Sequence, residues 1–373
     1  VILTGNAGDG KTAIAAEVIA KITGRFPPLL QDREELPDSN VVVIKDMSEL
    51  SSEKQLELLG DIFLNTNKRY LLVSNTGRLL EGMAQVKSSG LYNADERELL
   101  EALDADEPKN IYDNKFLLIN IGRMDSIDTA CKVFQKMIAP NNWEDCKRCQ
   151  KSEECTIRKN VLILQNNEEL VTERVRLVYR RLYEYDERLT MRQMTGHLAY
   201  AITSGLDCTD IASFSRTKLQ ADLFKGMFFN RFFGDDGNKF MHEASKLRPV
   251  NVIREAKFGT FLDPSFEREI WIKNQFPPLK EDAQEIYIKL QDSVTENQHA
   301  IRQQVRRIVF FFGMLEGKER EEYICNFLRS PSLLDFLSLA RGYTDSIMWS
   351  NYKHHILHVL KEHFLGIRLP EIN

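Results

Sequence analysis

The chain has 373 residues, of which 43% are hydrophobic and 28% charged, and its formal net charge at pH 7 is −5. This composition can build a proper core over two or three domains, gives no general polyanion-binding signal, and holds no membrane span, since the longest apolar stretch, around Ile308 to Leu315, is far too short. Six cysteines without a disulfide-like framework, and no secretory signal, lead us to expect a protein of the reducing cytoplasm.

The sequence opens on VILT, a short β-favouring run ending at Gly5, with no initiator Met before it. A strand this early predicts that the chain is a fragment with residues upstream. Next comes GNAGDGKT, Gly5 to Thr12, which fits G-x-x-x-x-G-K-[ST] at Gly5, Gly10, Lys11 and Thr12. Glycines let successive backbone N–H groups turn inward around phosphate oxygens. Gly5, Asn6, Ala7, Gly8, Asp9, Gly10 and Ala13 are therefore candidate nucleotide-binding positions. Lys11 is expected to reach the β- and γ-phosphates and Thr12 to ligate Mg²⁺. Ile14, Val18 and Ile22 recur every four residues, so Ala13 to Thr23 reads as an amphipathic helix stopped by Gly24. Its N-terminus would attract the anion. No N-K-x-D guanine-reading motif is present, which makes ATP the default ligand.

A Pro- and acid-rich connection follows, then VVVIKD at Val41 to Asp46, a helical pattern from Lys54 to Leu64, YLLVSN at Tyr70 to Asn75, a short helix over Ala94 to Ala105, and FLLIN at Phe116 to Asn120. Apolar runs separated by helices predict parallel strands buried on both faces. The expected fold class is α/β, a P-loop NTPase three-layer sandwich with a parallel sheet, followed by a mainly helical C-terminal region. The expected domains are a nucleotide-binding domain over 1–125, a Cys-containing insertion and helical lid over 126–200, and a helical domain over 201–373.

Hydrolysis needs a carboxylate to hold Mg²⁺ and a group to orient water. Asp46 and Glu49, at the end of the Val41 run, are the carboxylate candidates, with Asp46 toward Mg²⁺. Asn75 and Asn120 end two other runs, where an uncharged polar residue can position water as the sensor-1 residue of AAA+ ATPases does. Each is followed closely by an arginine, Arg78 or Arg123, a trans-acting finger or an ordinary loop residue. In ERLTMRQM, Thr190 is a plausible N-cap and Arg192 falls on the first turn, where a lid arginine would contact nucleotide.

Cys146, Cys149 and Cys155 form C-x2-C-x5-C, a spacing that suits structural Zn²⁺ but lacks a fourth local ligand. Cys131, His197 or Cys208 could supply it in the fold; free surface thiols and an iron–sulfur cluster are the other readings. His354 and His358 lie one helical turn apart without the Glu of a metalloprotease, which reads as a solvated face. The arginine groups at Arg174, Arg176, Arg180 and Arg181 and at Arg302, Arg306 and Arg307 could touch DNA phosphates, but their neighbouring acids favour salt-bridged surfaces.

Taken together, LTGNAGDGKT, KDMSE, YLLVSNTGRL, the Cys-rich insertion and LTMRQMTGHLAYAITSG resemble DptF-type proteins, P-loop ATPases of phosphorothioation-dependent DNA restriction in bacteria. FFNRFFG and LDPSFEREIW are similar in style, so the resemblance spans about residues 1–275. Several of these motifs are shared with AAA+ and STAND-like defence ATPases. The resemblance implies an ATP-dependent subunit of an assembly that damages foreign DNA, with the cutting or translocating partner on another chain, and leaves direct DNA contact and oligomerisation open. It carries Gly5, Gly10, Lys11 and Thr12 over as phosphate and Mg²⁺ ligands, and Asp46, Asn75 and Arg192 as sensors. The missing Asp-Glu pair departs from the AAA+ pattern and admits an alternative, a STAND-like switch with slow turnover. A small-molecule phosphotransferase would need an acceptor pocket that the sequence does not suggest.

Overall fold

The computed structural model describes residues 1–64, 67–260, 268–270, 278–292, 298–329 and 346–365. LDPSFEREIW therefore lies outside the described residues except for 268–270. The chain divides into two compact units, Val1–Val250 and Asn251–Asn373.

The first unit starts with an α/β part. Six strands form one mixed sheet in the order β2-β3-β4-β1-β6-β5. They are β1 Ile2–Gly5, β2 Arg33–Leu36, β3 Val41–Ile44, β4 Arg69–Asn75, β5 Lys109–Ile111 and β6 Phe116–Asn120. The four inner strands run parallel, as the apolar runs imply, but both edges are antiparallel, which corrects the all-parallel expectation. The cause is local. Arg33–Leu36 reads REEL and joins β3 through only a 3₁₀ turn, Pro37–Ser39, too short for a crossover, so it folds back as a half-exposed hairpin edge.

Helices cover both sheet faces, and strand alternation decides which residue goes where. Ile2, Val42, Ile44 and Leu72 pack against α2 Ser52–Leu64, α3 Thr76–Ser88 and α4 Glu96–Asp104. Leu3, Val43 and Val73 pack on the other side against Ala15 and Ile19 of α1 Lys11–Thr23. Gly24 ends α1 at φ 73° and donates its N–H to the Ala20 carbonyl. The buried stripe of α1 differs from the one the spacing suggests. Ile14 and Ile22 are each 41% exposed, and with Val18 they line an apolar groove beside Leu3 and Ile119. Alanines at 15 and 16 allow the closer approach to the sheet, so the small residues face inward.

The rest of the unit is helical: α5 Ile127–Ile138, α6 Thr156–Asn166, α7 Glu168–Glu184, α8 Met191–Thr203, α9 Cys208–Ser213, α10 Arg216–Ala221 and α11 Phe228–Arg231. FFNRFFG is core, with Phe228, Phe229 and Phe232 fully buried. Asn160 is buried there without loss, because its amide donates to the carbonyls of Ile202 and Gly226 and its oxygen accepts from the Phe228 N–H. Arg176 and Arg180 pair with Asp128 and Asp125, and Arg181 with Glu184, the salt-bridged outcome, whereas Arg174 is buried.

The helix Arg248–Glu255 crosses the division in sequence, and the further described helices of the second unit are Glu281–Asp292, Gln298–Phe312, Gly317–Phe327 and Ser346–Leu365. Phe310 stacks on Phe327 at 4.1 Å. Arg306 and Arg307 are buried rather than exposed, and Arg306 donates to the Gly259 carbonyl while its own carbonyl accepts from Tyr323. His354 is exposed on its helix, as its surroundings suggest. Among the described residues, no helix is long and apolar enough to cross a membrane.

His197, inside the first unit, gives this core a pH signature. It is fully buried, with Nε2 2.8 Å from the Phe232 carbonyl and Nδ1 2.8 Å from the Tyr179 hydroxyl. A carbonyl only accepts, so Nε2 carries the hydrogen and Nδ1 accepts from Tyr179. Burial pushes the imidazole pKa down to about 4. Between pH ~6.5 and ~4 the unfolded chain binds a proton that the folded chain refuses, so stability falls by up to about 3 kcal/mol as pH drops through that window. Urea unfolding between neutral pH and pH ~4.5 should show wild type losing more stability than His197→Gln, itself weaker at neutral pH. Parallel losses would mean that His197 titrates alike in both states.

Candidate functional site

The loop Gly5–Gly10 leaves the C-terminal end of β1, between β4 and β6, and α1 begins at Lys11. Its glycines are required by geometry at two positions. Gly8 has φ +92°, and a Cβ there would lie 2.8 Å from Arg192 Cβ and 3.3 Å from Thr190 Oγ1. Gly5 has φ +148°, and a Cβ there would meet the Gly122 nitrogen at 2.8 Å.

Lys11 is only 6% exposed, and its ammonium is satisfied from three sides. It donates to the carbonyls of Gly5 at 3.0 Å and Asn6 at 2.8 Å, and to Asn75 Oδ1 at 2.8 Å. Parallel pairing of β1 with β4 sets Gly5 opposite Asn75, which is why that amide reaches the loop. Burial lowers the Lys11 pKa; the carboxylates of Asp9 and Asp46 oppose that shift and Arg192 adds to it. Five of the candidate side chains, Asp9, Lys11, Asp46, Asn75 and Arg192, therefore share one neighbourhood.

The others distribute around it. Asn6, Ala7, Thr12 and Ala13 are exposed on the loop and the first turn of α1. Glu49 closes a short 3₁₀ turn, Met47–Glu49, and is exposed. Asn120 turns away, donating to the Leu103 carbonyl and accepting from the Gly122 N–H. Arg78 pairs with Glu81, and Arg123 with Asp104 and Asp106. Both side chains are half-exposed.

The helical part reaches the same loop. Thr190 caps α8 in a reciprocal capping box with Gln193. The Arg192 N–H donates to the Gly8 carbonyl at 3.1 Å. Arg188, which no sequence pattern singles out, pairs with Asp9 Oδ1 at 3.2 Å and donates to the Ile121 carbonyl. Asp9 is almost fully buried and also accepts from the Asn6 N–H at 2.8 Å. Only its place just before the Thr190 cap could have pointed to Arg188.

Compared with family models, curated proteins and solved structures, the chain matches none. The reading of this site therefore rests on its own geometry.

The cysteines are all free thiols. Among the described residues, no three His, Cys, Asp or Glu side chains stand ready-assembled around a metal ion. Cys131 is buried in α5, with its thiol toward the Thr172 carbonyl, and burial pushes its pKa up to about 11. His197 has both ring nitrogens engaged.

The crowding at Gly8 yields a graded expectation. Gly10 has nearly the same φ, +93°, yet a Cβ there meets nothing within 4 Å. Gly10→Ala should cost about 1–2 kcal/mol of backbone strain, and Gly8→Ala about 1–2 kcal/mol more as the start of α8 is displaced. Chemical denaturation of the two variants checks this. Equal losses would mean that α8 does not press on the loop.

Proposed function

We propose that the chain is an ATP-binding P-loop NTPase that serves as the nucleotide-handling subunit of a larger assembly. The observation that carries this reading is the Lys11 ammonium, held between the loop carbonyls and Asn75 at the C-terminal end of an inner parallel strand. Ligands of open α/β sheets bind at that end. The residues fit the group. Positive-φ glycines leave room for oxygens against the backbone, the N-terminus of α1 favours an anion, and Lys11 supplies a buried cation. The Thr12 hydroxyl and the Asp46 carboxylate would hold Mg²⁺.

The bound nucleotide would supply a transferable γ-phosphoryl group. Lys11 would exchange its carbonyl partners for phosphate oxygens, and Asn75, already beside it, would orient a water. Arg192, at the start of α8, would carry the loop's state into the helical part. The motif resemblance favours bacterial DNA restriction or antiphage defence as the setting, with other subunits as partners and DNA reached directly or through them.

One observation favours a second reading. Glu49 is exposed, and the Val41 run ends on Asp46 without the adjacent Glu of an Asp-Glu pair, which suits a STAND-like switch that turns nucleotide over slowly.

ATP turnover by the chain, alone and with duplex DNA, separates the two. Under the ATPase reading Lys11→Ala should cut turnover by on the order of 100-fold. Asn75→Ala should cut it about 10-fold with nucleotide affinity largely kept. Lys11-dependent binding with negligible turnover would select the switch. Absence of nucleotide binding by the wild type would sink both.

A further inference from the structure

The sequence leaves the fourth partner of C-x2-C-x5-C open among three residues. Two of them are committed elsewhere in the core, Cys131 beneath Thr172 and His197 between Tyr179 and Phe232. Cys208 is the third, and it opens α9.

Packing brings α9 to the cysteine loop. Cys155 and Trp143 from the loop side, and Leu206, Ile211 and Phe214 from the α9 side, belong to one apolar cluster with Ile157 and Leu219. Lys151, between the second and third loop cysteines, donates to the carbonyls of Ile211 at 3.2 Å and Ala212 at 2.5 Å, and to that of Phe214, so it caps the far end of α9. Arg216, just beyond, pairs with Glu154 at 3.3 Å and donates to the Gln150 carbonyl. The loop is therefore fastened along α9, and Cys208 stands between two of the segment's anchoring residues, Leu206 and Ile211.

The local backbone suits a thiolate site. The Cys149 N–H donates to the Cys146 carbonyl at 3.3 Å, closing C-x-x-C into a turn that lets both side chains point one way. Cys155 is the N-cap residue of α6, and its side chain makes no capping bond to that helix. The thiols of Cys149 and Cys208 lie within electrostatic range of both Cys146 and Cys155, without converging to ligand distance in this conformation. Cys149 and Cys208 are exposed and Cys146 half-buried, which leaves their side chains free to rotate inward.

We propose that Cys146, Cys149, Cys155 and Cys208 together hold one thiolate-bound metal centre, with Zn²⁺ as occupant. The centre would staple the loop after α5 to α9. Four soft thiolates also suit an iron–sulfur cluster, and the same ligand set serves either. Closing it takes side-chain rotation at the exposed thiols, and the metal displaces the thiol protons as it binds. The proposal does not depend on nucleotide chemistry.

The test is elemental analysis of the full chain purified without chelator, as wild type, Cys208→Ser, Cys208→His, Cys325→Ser and Lys11→Ala. About one zinc per chain is expected in wild type, Cys325→Ser and Lys11→Ala, with at least a tenfold loss in Cys208→Ser and retention in Cys208→His, since zinc accepts three thiolates and an imidazole. If Cys208→Ser does not fold, cadmium titration of the wild type replaces it. A cadmium–thiolate absorbance that saturates at one equivalent with four thiols protected from alkylation supports the site. Iron with inorganic sulfide and visible absorbance would keep the four ligands and reassign the metal. Metal-free wild type that takes up no cadmium, or zinc retained undiminished in Cys208→Ser, overturns the proposal.

Discussion

The register of β1 against β4 is the constraint on which the site depends. Gly5 pairs with Asn75 and Thr4 with Ser74, so the last residue of each strand comes level at the same sheet edge. Side chains alternate along a strand, and a slip of one residue would send Asn75 to the opposite face. Lys11 would then lose its one side-chain hydrogen-bond partner among the three that satisfy it, and a buried ammonium short of partners is costly. Register is held in turn by the apolar alternation that fills both faces, with Leu72 toward α2 and α3 and Val73 toward α1. The hydrophobic core thus sets the position of a polar atom.

The loop is clamped from a second direction. The Gly8 carbonyl accepts from the Arg192 N–H, and Asp9 is held by Arg188, which also reaches the Ile121 carbonyl beyond β6. Any rearrangement of the loop that moves Gly8 or Asp9 must break a contact to the α8 side. The carboxylate of Asp9 is nearly inaccessible to water, so separating it from Arg188 leaves a buried charge offset only by the Asn6 N–H and the field of Lys11, a larger loss than breaking a surface pair. The loop and α8 therefore move together or not at all, which is the mechanical condition for nucleotide state to be felt in the helical part.

Much of this was legible in the sequence, and the illegible parts share a cause. The inner strands, the start of α1 and the Thr190 cap follow from local pattern, because apolar runs, a Gly-rich loop and a capping box act over a few residues. Edge strands were missed because REEL and KNI carry charge and polarity, and only pairing with a neighbour makes them strands. The inward face of α1 was misassigned because spacing identifies an apolar stripe but not the distance to the sheet, and alanine wins where backbones come close. Arg188 was invisible as a functional candidate, and Cys208 could not be singled out from Cys131 and His197, for a related reason. Their partners lie far away in sequence, Asp9 for one and the 146–155 loop for the other, and no periodicity encodes a contact of that range.

The charges gathered at the loop also indicate which kind of ligand it suits. Lys11, Arg188 and Arg192 supply three positive charges, and Asp9 and Asp46 two negative ones, leaving one positive charge over beside the N-terminus of α1. A bare metal cation would meet this surplus as repulsion. An anion would be drawn by it and by the helix dipole together, and would give Lys11 a charged partner in place of two carbonyls. A cation such as Mg²⁺ becomes favourable there only in company with an anion that reverses the balance. Under the proposed function, this charge balance gives an order of events, in which phosphate charge would make the metal site rather than the reverse.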